Sequence, residues 1–211
     1  MAKIKKIKGR QVFDSRGNPT IEAEVYSDNG NHALAIIPSG ASTGTHEAFE
    51  LRDKENKNYL GKSVFKAVEN INGPIAKTLN NIDINDQTKI DKTLIDLDGT
   101  EQKKKLGANA ILAVSIASSK LAAIEKNTPL FKYLGNSKST QLPIPLLNII
   151  NGGVHAKNNL EIQEFMIRPE KVKSFSEAMR RSFLIIQNLK GMVDTTNVGD
   201  EGGFAPNLQN T

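Results

Sequence analysis

The first 38 residues alternate apolar and polar side chains with a period of two, and this pattern constrains the fold more than any other feature. The alternating stretches are residues 3–13, 20–27 and 33–37. Segments rich in Asp, Asn and Gly separate them, and such residues favour turns. In the middle stretch apolar residues fall on one face, with Glu22 and Glu24 on the other, as in a half-buried strand. This region is therefore predicted to form a three-stranded antiparallel meander.

Helical spacing of apolar residues follows the meander. The predicted helices span residues 63–79, 85–97 and 106–126. The third is the most apolar, but it contains Asn109 and Lys120, so we predict a buried core helix rather than a membrane span. A polar linker at residues 136–140 predicts a boundary between a first domain, residues 1–135, and a second, residues 136–211.

The second domain begins with a continuous apolar run at residues 143–150, which predicts a strand buried on both faces. Residues 162–167 predict a second strand, and residues 174–189 predict a helix. Residues 196–198 are predicted to form a short strand that leads into Gly199.

Composition excludes several kinds of site. The chain has no cysteine, so disulfides, thiolate metal sites and Cys nucleophiles are excluded. The net charge of +5 fits either affinity for anionic ligands or a merely lysine-rich composition, and no RNA-binding aromatic motif accompanies the basic residues. No metalloprotease, P-loop, dinucleotide-binding or serine-hydrolase motif occurs. The absence of cysteine fits a cytoplasmic protein, and the N-terminus lacks the apolar region of a secretory signal.

Three side chains are candidates for acid–base chemistry. Glu201 lies between Gly199 and the pair Gly202–Gly203, and glycines allow positive φ and close approach to a ligand. His155 follows a Gly pair at the end of the predicted strand, and Glu164 lies within the next strand. Structural alternatives remain open for each: a salt-bridged acid, a structural histidine and an outward-facing strand residue. With the small-residue loop at 39–44, the set suggests chemistry on a small anionic substrate.

Several long segments together resemble the enolase family. They are residues 13–20 (FDSRGNPT), 39–44 (SGASTG), 106–115 (LGANAILAVS), 143–156, 163–167 (QEFMI) and 198–206 (VGDEGGFAP). They occur in the family's order and cover essentially the whole chain. The resemblance implies an α+β N-terminal domain, with the meander and helices, followed by the start of an α/β enolase-type TIM-like barrel that is incomplete in these 211 residues.

The resemblance also implies an activity, the glycolytic dehydration of 2-phosphoglycerate to phosphoenolpyruvate with two Mg²⁺ ions, which stabilise the enediolate. By motif, Glu201 resembles the general acid and Glu164 its partner near the leaving hydroxyl. His155 resembles the substrate-contacting histidine, and Gln163 lies in the same binding strand. Ser42 is similar to the loop serine that reaches the second Mg²⁺.

The same resemblance implies functional groups that residues 1–211 do not supply. The Lys base that removes the α-proton and the other Mg²⁺ ligands have no counterpart in this sequence. They are therefore expected to lie beyond Thr211, in the part of the family's barrel that would follow this residue.

The family further implies a homodimer, with Arg16 and Glu22 at the interface, and a cytoplasmic location that extends in some members to the cell surface or to secretion.

Residues 183–191 are about one turn shorter than the family's usual helix. Two consequences stay open: Glu201 is shifted, or the residues between this helix and Glu201 compensate for the missing turn. The chain alone is predicted to be inactive. The alternatives are a non-catalytic product with a surface-binding role and another enolase-superfamily dehydratase or racemase. No direct nucleic-acid binding is predicted.

Overall fold

A computed structural model describes residues 2–40, 44–135, 138 and 140–208. The chain divides into two compact units, residues 1–139 and 140–211. The sequence predicts the boundary between residues 135 and 136, whereas the division in the structure falls after residue 139.

Most of the predicted linker at residues 136–140 and the centre of the loop at 39–44 lie outside the described residues, and so do two individually named residues. They are the loop serine Ser42 and the final residue Thr211, beyond which the Lys base and the other Mg²⁺ ligands are expected. The magnesium role of Ser42 and the location of the remaining groups past Thr211 therefore stay predictions.

The first unit is built on a three-stranded antiparallel sheet. Its strands are β1 (Ile4–Phe13), β2 (Pro19–Ser27) and β3 (His32–Ile37), in the order β1-β2-β3. Neighbouring strands are joined by short turns, as the Asp-, Asn- and Gly-rich segments predict. The predicted meander is confirmed.

The two faces of β2 differ in chemistry but not in burial. Ile21, Ala23 and Val25 are fully buried in the core, as the alternation predicts. Glu22 and Glu24 on the opposite face are also largely buried, because the Arg10 guanidinium lies 2.5 Å from a carboxylate oxygen of each. A half-buried strand pattern would leave these carboxylates in water, and the cross-strand arginine covers them instead.

Five α-helices complete the first unit among its described residues. They are α1 (Phe65–Asn70), α2 (Ala76–Leu79), α3 (Gln87–Asp98), α4 (Ala108–Glu125) and α5 (Leu130–Leu134). The helix predicted at residues 63–79 is interrupted by a π-helical turn at Ile71–Ile75, which contains Pro74. Proline has no N–H and its ring displaces the carbonyl of the preceding turn, so the wider π turn accommodates it.

Helix α4 forms the centre of the first unit. It packs on β2 and β3 and buries small and aliphatic residues such as Ala113, Val114 and Leu121. By length and composition α4 could cross a membrane, but 56% of it is buried inside this unit. The prediction of a buried core helix is confirmed.

Close packing at Gly9 joins the sheet to the π turn. The Asn72 amide accepts a hydrogen bond from Gly9 N–H at 2.8 Å and donates one to Gly9 C=O at 3.1 Å. A Cβ at position 9 would lie 2.9 Å from both Cβ and Cγ2 of the fully buried Ile71. Real Cβ atoms do not approach this closely, so the side of β1 that faces the π turn requires glycine.

The Gly9→Ala variant is expected to lose about 1–3 kcal/mol of unfolding free energy, because the added methyl overpacks the core. Gly73→Ala is the matched control: a Cβ there meets nothing within 4 Å, so its stability should hold or rise. Urea unfolding followed by tyrosine fluorescence measures this, since all three tyrosines lie in the first unit. Equal stability of the two variants would contradict the packing argument.

The second unit contains a two-stranded antiparallel sheet and one long helix among its described residues. The elements are β4 (Leu147–Asn151), β5 (Glu164–Ile167) and α6 (Phe175–Met192). Ser174 caps α6 by accepting a hydrogen bond from Glu177 N–H, so the predicted helix at residues 174–189 is confirmed.

Two strand predictions in this unit need correction. The strand predicted at residues 143–150 begins only at Leu147, because Pro143 and Pro145 cannot donate hydrogen bonds to the sheet. The strand is also half-buried rather than buried on both faces. The strand predicted at residues 196–198 is a single bridge between Val198 and Phe204, where the chain turns back at once. The strand predicted at residues 162–167 is confirmed from Glu164 onward.

Candidate functional site

The site begins where β4 ends in a tight glycine turn. After Asn151 the chain passes through Gly152 into a short 3₁₀ turn at Gly153–His155. Gly152 N–H donates to Gln163 C=O at 3.0 Å, and a Cβ at position 152 would lie 2.4 Å from Ile162 O. The chain therefore passes directly over the segment that leads into β5, and His155 is buried there.

The register of β4 and β5 places two polar side chains beside the His155 ring. Asn151 pairs with Glu164, the first residue of β5. The Gln163 amide nitrogen lies 2.9 Å from His155 Nε2, and Glu164 Oε1 lies 3.3 Å from His155 Nδ1. The strand pairing thus places one neighbour at each ring nitrogen.

The two contacts of His155 differ in quality. The Gln163 amide nitrogen lies within hydrogen-bond distance of His155 Nε2. Nδ1 is buried and, although close to Glu164, is not aligned for a hydrogen bond to the carboxylate. The imidazole therefore has a side-chain partner at Nε2, whereas Nδ1 has no hydrogen-bond partner among the described residues.

Glu201 is carried by a closed turn that docks on the His155 segment. Gly199 C=O accepts Gly202 N–H at 3.0 Å, Gly199 N–H donates to Gly203 C=O at 2.8 Å, and Asp200 N–H donates to His155 C=O at 3.0 Å. The predicted positive φ is found at Gly202, at +79°. Gly199 and Gly203 are needed for close approach instead, because a Cβ at either would lie within 3 Å of neighbouring atoms.

These elements bring three of the predicted side chains together. One ligand atom from each of His155, Glu164 and Glu201 lies within 4.8 Å of the others. His155 is buried, Glu164 is half-buried and Glu201 is exposed, so the cluster runs from the protein interior to solvent. Two carboxylates and one imidazole in this space can exchange protons with a small bound molecule.

The cluster fits a magnesium ion poorly. Mg²⁺ prefers six oxygen ligands in near-octahedral geometry, whereas His155 offers a nitrogen and only two carboxylates accompany it. Imidazole with carboxylates suits a transition metal better. The implied magnesium ligand Ser42 lies outside the described residues, so the part of the chain that the structure describes forms no magnesium site here.

A cleft of about 680 Å³ lies next to the cluster. His155, Lys157, Asn197 and Asp200 contribute to its wall, but Glu164 and Glu201 do not. The cleft and the carboxylate cluster therefore share His155 without coinciding, and the side-chain geometry defines the candidate site better than the cavity does.

One residue of this site, Asn151, is missed by sequence reasoning. Its side chain is fully buried and bonds to the backbone of both the β5 segment and the Glu201 turn. The available signal is an asparagine that ends an apolar strand immediately before a Gly pair, where an amide can satisfy backbone groups that the ladder leaves free.

Comparisons with known proteins agree with these observations. Residues 4–134 match the family model "Enolase, N-terminal domain", and residues 139–211 match "Enolase, C-terminal TIM barrel domain". A curated protein named "Enolase" from Pelagibacter ubique (strain HTCC1062) is 62% identical over 214 residues. The match covers 100% of the chain and 51% of that relative, so the chain spans about half the relative's length.

Proposed function

The chain belongs to the enolase family, and from this premise we propose that it supplies one side of the active site of a glycolytic lyase. The reaction is the reversible dehydration of 2-phosphoglycerate to phosphoenolpyruvate, carried out mainly in the cytoplasm. The observation that carries the proposal is the cluster of His155, Glu164 and Glu201 at the end of β4 and β5.

Each residue has a proposed task. Glu201, exposed at the tip of its turn, gives a proton to the 3-hydroxyl of the substrate as this group departs, because hydroxide is a poor leaving group without one. Glu164, whose carboxylate is near, orients the same hydroxyl. His155 and Gln163 bind the substrate, with Gln163 fixing the ring through its bond to Nε2.

The removal of the α-proton is assigned to a lysine, and charge stabilisation to Mg²⁺, in the remainder of a complete barrel that would follow Thr211. We propose that residues 1–135 are the N-terminal domain and that residues 136–211 are the first portion of the barrel domain. The described residues of the second unit contain the β4–β5 pair and α6, which is an incomplete barrel.

We propose that the residues between α6 and Glu201 compensate for the shorter segment at residues 183–191, so that Glu201 keeps its place. The alignment with the relative has 214 positions against 211 residues, so the relative has at least three residues without a counterpart in this chain. In the structure α6 continues to Met192, and a carboxylate oxygen of Glu201 still lies within 4.8 Å of ligand atoms of His155 and Glu164. This proximity supports compensation between α6 and Glu201 rather than a displaced Glu201.

A homodimer through the outer face of the first unit's sheet is also proposed. Glu22 on this face is ion-paired with Arg10 in the same chain, and the exposed aliphatic Ile36 is its cross-strand neighbour. Arg16, at the adjoining turn, donates to Ser39 C=O. Exposed aliphatic side chains beside buried carboxylates are compatible with a partner surface of mixed character.

The test is phosphoenolpyruvate formation from 2-phosphoglycerate and Mg²⁺, followed by absorbance. The 211-residue chain is expected to give no turnover above background, because residues 1–211 offer no counterpart to the Lys base. A chimera that joins the chain to the unmatched remainder of the Pelagibacter ubique relative is expected to be active. Turnover by the chain alone would contradict the first expectation, and an inactive but folded chimera would contradict the proposed function.

A further inference from the structure

The Asn151 side chain connects the two segments that carry the proposed catalytic groups. Its Oδ1 accepts a hydrogen bond from Gly203 N–H at 3.0 Å, and its Nδ2 donates to Gln163 C=O at 3.4 Å. The side chain is fully buried at the end of β4. We infer that Asn151 is a positioning residue that fixes the Gly199–Gly203 turn, and with it Glu201, against the end of β4 and β5.

The glycines of the turn are fitted to this side chain. A Cβ at Gly199 would lie 2.5 Å from Asn151 Cβ, and a Cβ at Gly203 would lie 2.9 Å from Asn151 Oδ1. Neither glycine has a positive φ, so backbone conformation does not require them. Backbone atoms crowd the same positions, His155 O at position 199 and Ile149 C and Ile150 N at position 203, so the turn packs closely against both the Asn151 side chain and the neighbouring backbone.

Few other groups hold the turn. Among the described residues, its other hydrogen bond to the rest of the unit runs between backbones, from Asp200 N–H to His155 C=O, and the adjoining Phe204 bonds to the backbones of Ile149 and Asn151. No other described side chain donates to or accepts from the backbone of residues 199–203. A buried N–H without a partner is costly, so removing the Asn151 acceptor frees the turn at Gly203.

Glu164 and His155 do not depend on this amide. Glu164 is placed by the β4–β5 ladder, and Gln163 C=O also accepts Gly152 N–H at 3.0 Å. Loss of the Asn151 side chain therefore displaces Glu201 alone and leaves the other two groups in place. The inference rests on the proposed function only for what Glu201 does chemically, and not for how the turn is held.

Amide hydrogen exchange in the ¹⁵N-labelled 211-residue chain tests the inference. In Asn151→Leu, which keeps the branch at Cγ but removes the acceptor, Gly203 N–H should exchange about tenfold faster or more, while β5 amides stay protected. Asn151→Asp retains an acceptor oxygen and should keep Gly203 close to its original rate.

Asn158→Ala is the matched control, since the Asn158 amide bonds to Asn151 C=O at 2.8 Å and does not touch the turn. Gly203 exchange should be unchanged in it. The inference is overturned by unchanged exchange in Asn151→Leu, by better protection in Asn151→Leu than in Asn151→Asp, or by equal loss of protection across β5. An equal rise in Asn158→Ala also overturns it. None of these readouts requires turnover, so failure of the phosphoenolpyruvate assay is a separate result.

Discussion

Replacing Glu201 with Gln in the chimera should lower phosphoenolpyruvate formation by roughly 10²- to 10⁴-fold, the usual contribution of a positioned general acid. Glutamine keeps the size of the side chain and leaves the turn unchanged, because the turn is held by backbone bonds and by Asn151 rather than by the Glu201 carboxylate. The loss should therefore fall on kcat, with little change in KM.

Glu170→Gln is the control for this comparison. Glu170 is an exposed carboxylate of the same unit, paired with Arg168 at 2.6 Å and outside the cluster. An exposed pair of this kind contributes little to stability, so the variant should retain turnover within about twofold. A comparable loss in both variants, or a loss below about twofold in Glu201→Gln, would contradict the assignment of Glu201.

Replacing Gly152 with Ala should cost about 3 kcal/mol in the stability of the second unit, at the upper end of overpacking effects. The added Cβ would lie 2.4 Å from Ile162 O and 2.9 Å from Leu160 O. These are backbone atoms of the segment leading into β5, so they cannot move aside as a flexible side chain can. We expect the bond from Gly152 N–H to Gln163 C=O to break and Glu164 to leave His155.

Gly191→Ala is the matched change in the same unit, because a Cβ there meets nothing within 4 Å near the end of α6. It should be neutral or slightly stabilising, since alanine favours helix. No tyrosine lies in residues 140–211, so hydrogen-exchange mass spectrometry of peptides from this unit is the suitable measurement. Equal protection of the 160–167 peptide in the two variants would contradict the close-packing account.

The parts of the fold that local patterns determine could be predicted from sequence. The meander was predictable because side-chain alternation and turn residues act over a few positions, and α4 because its apolar surface is long. The π turn at Ile71–Ile75 was not, because a proline can break, kink or widen a helix and the local pattern does not determine which. The strand at residues 143–150 was predicted too long, because apolar composition outweighed the two prolines.

For the candidate site too, local patterns predicted some residues, whereas residues placed by distant contacts were missed. Glu164, His155 and Glu201 were named from their residue types, their glycine neighbours and the family resemblance, and the structure places them together. Asn151 was missed because its partner Gly203 lies 52 residues away, and no local pattern reports so distant a bond. Gly199 and Gly203 were predicted to allow positive φ and close approach to a ligand, whereas the structure shows them packed against Asn151 and neighbouring backbone atoms.

The most direct test of the central claim, that Glu201 acts on the departing hydroxyl rather than on the α-proton, is solvent exchange at C2 of 2-phosphoglycerate. The Glu201→Gln chimera would be incubated in D₂O with substrate and Mg²⁺, and deuterium at C2 measured by NMR against the unsubstituted chimera. The account predicts that C2 exchange persists while phosphoenolpyruvate formation falls. Loss of C2 exchange in parallel with phosphoenolpyruvate formation would contradict it.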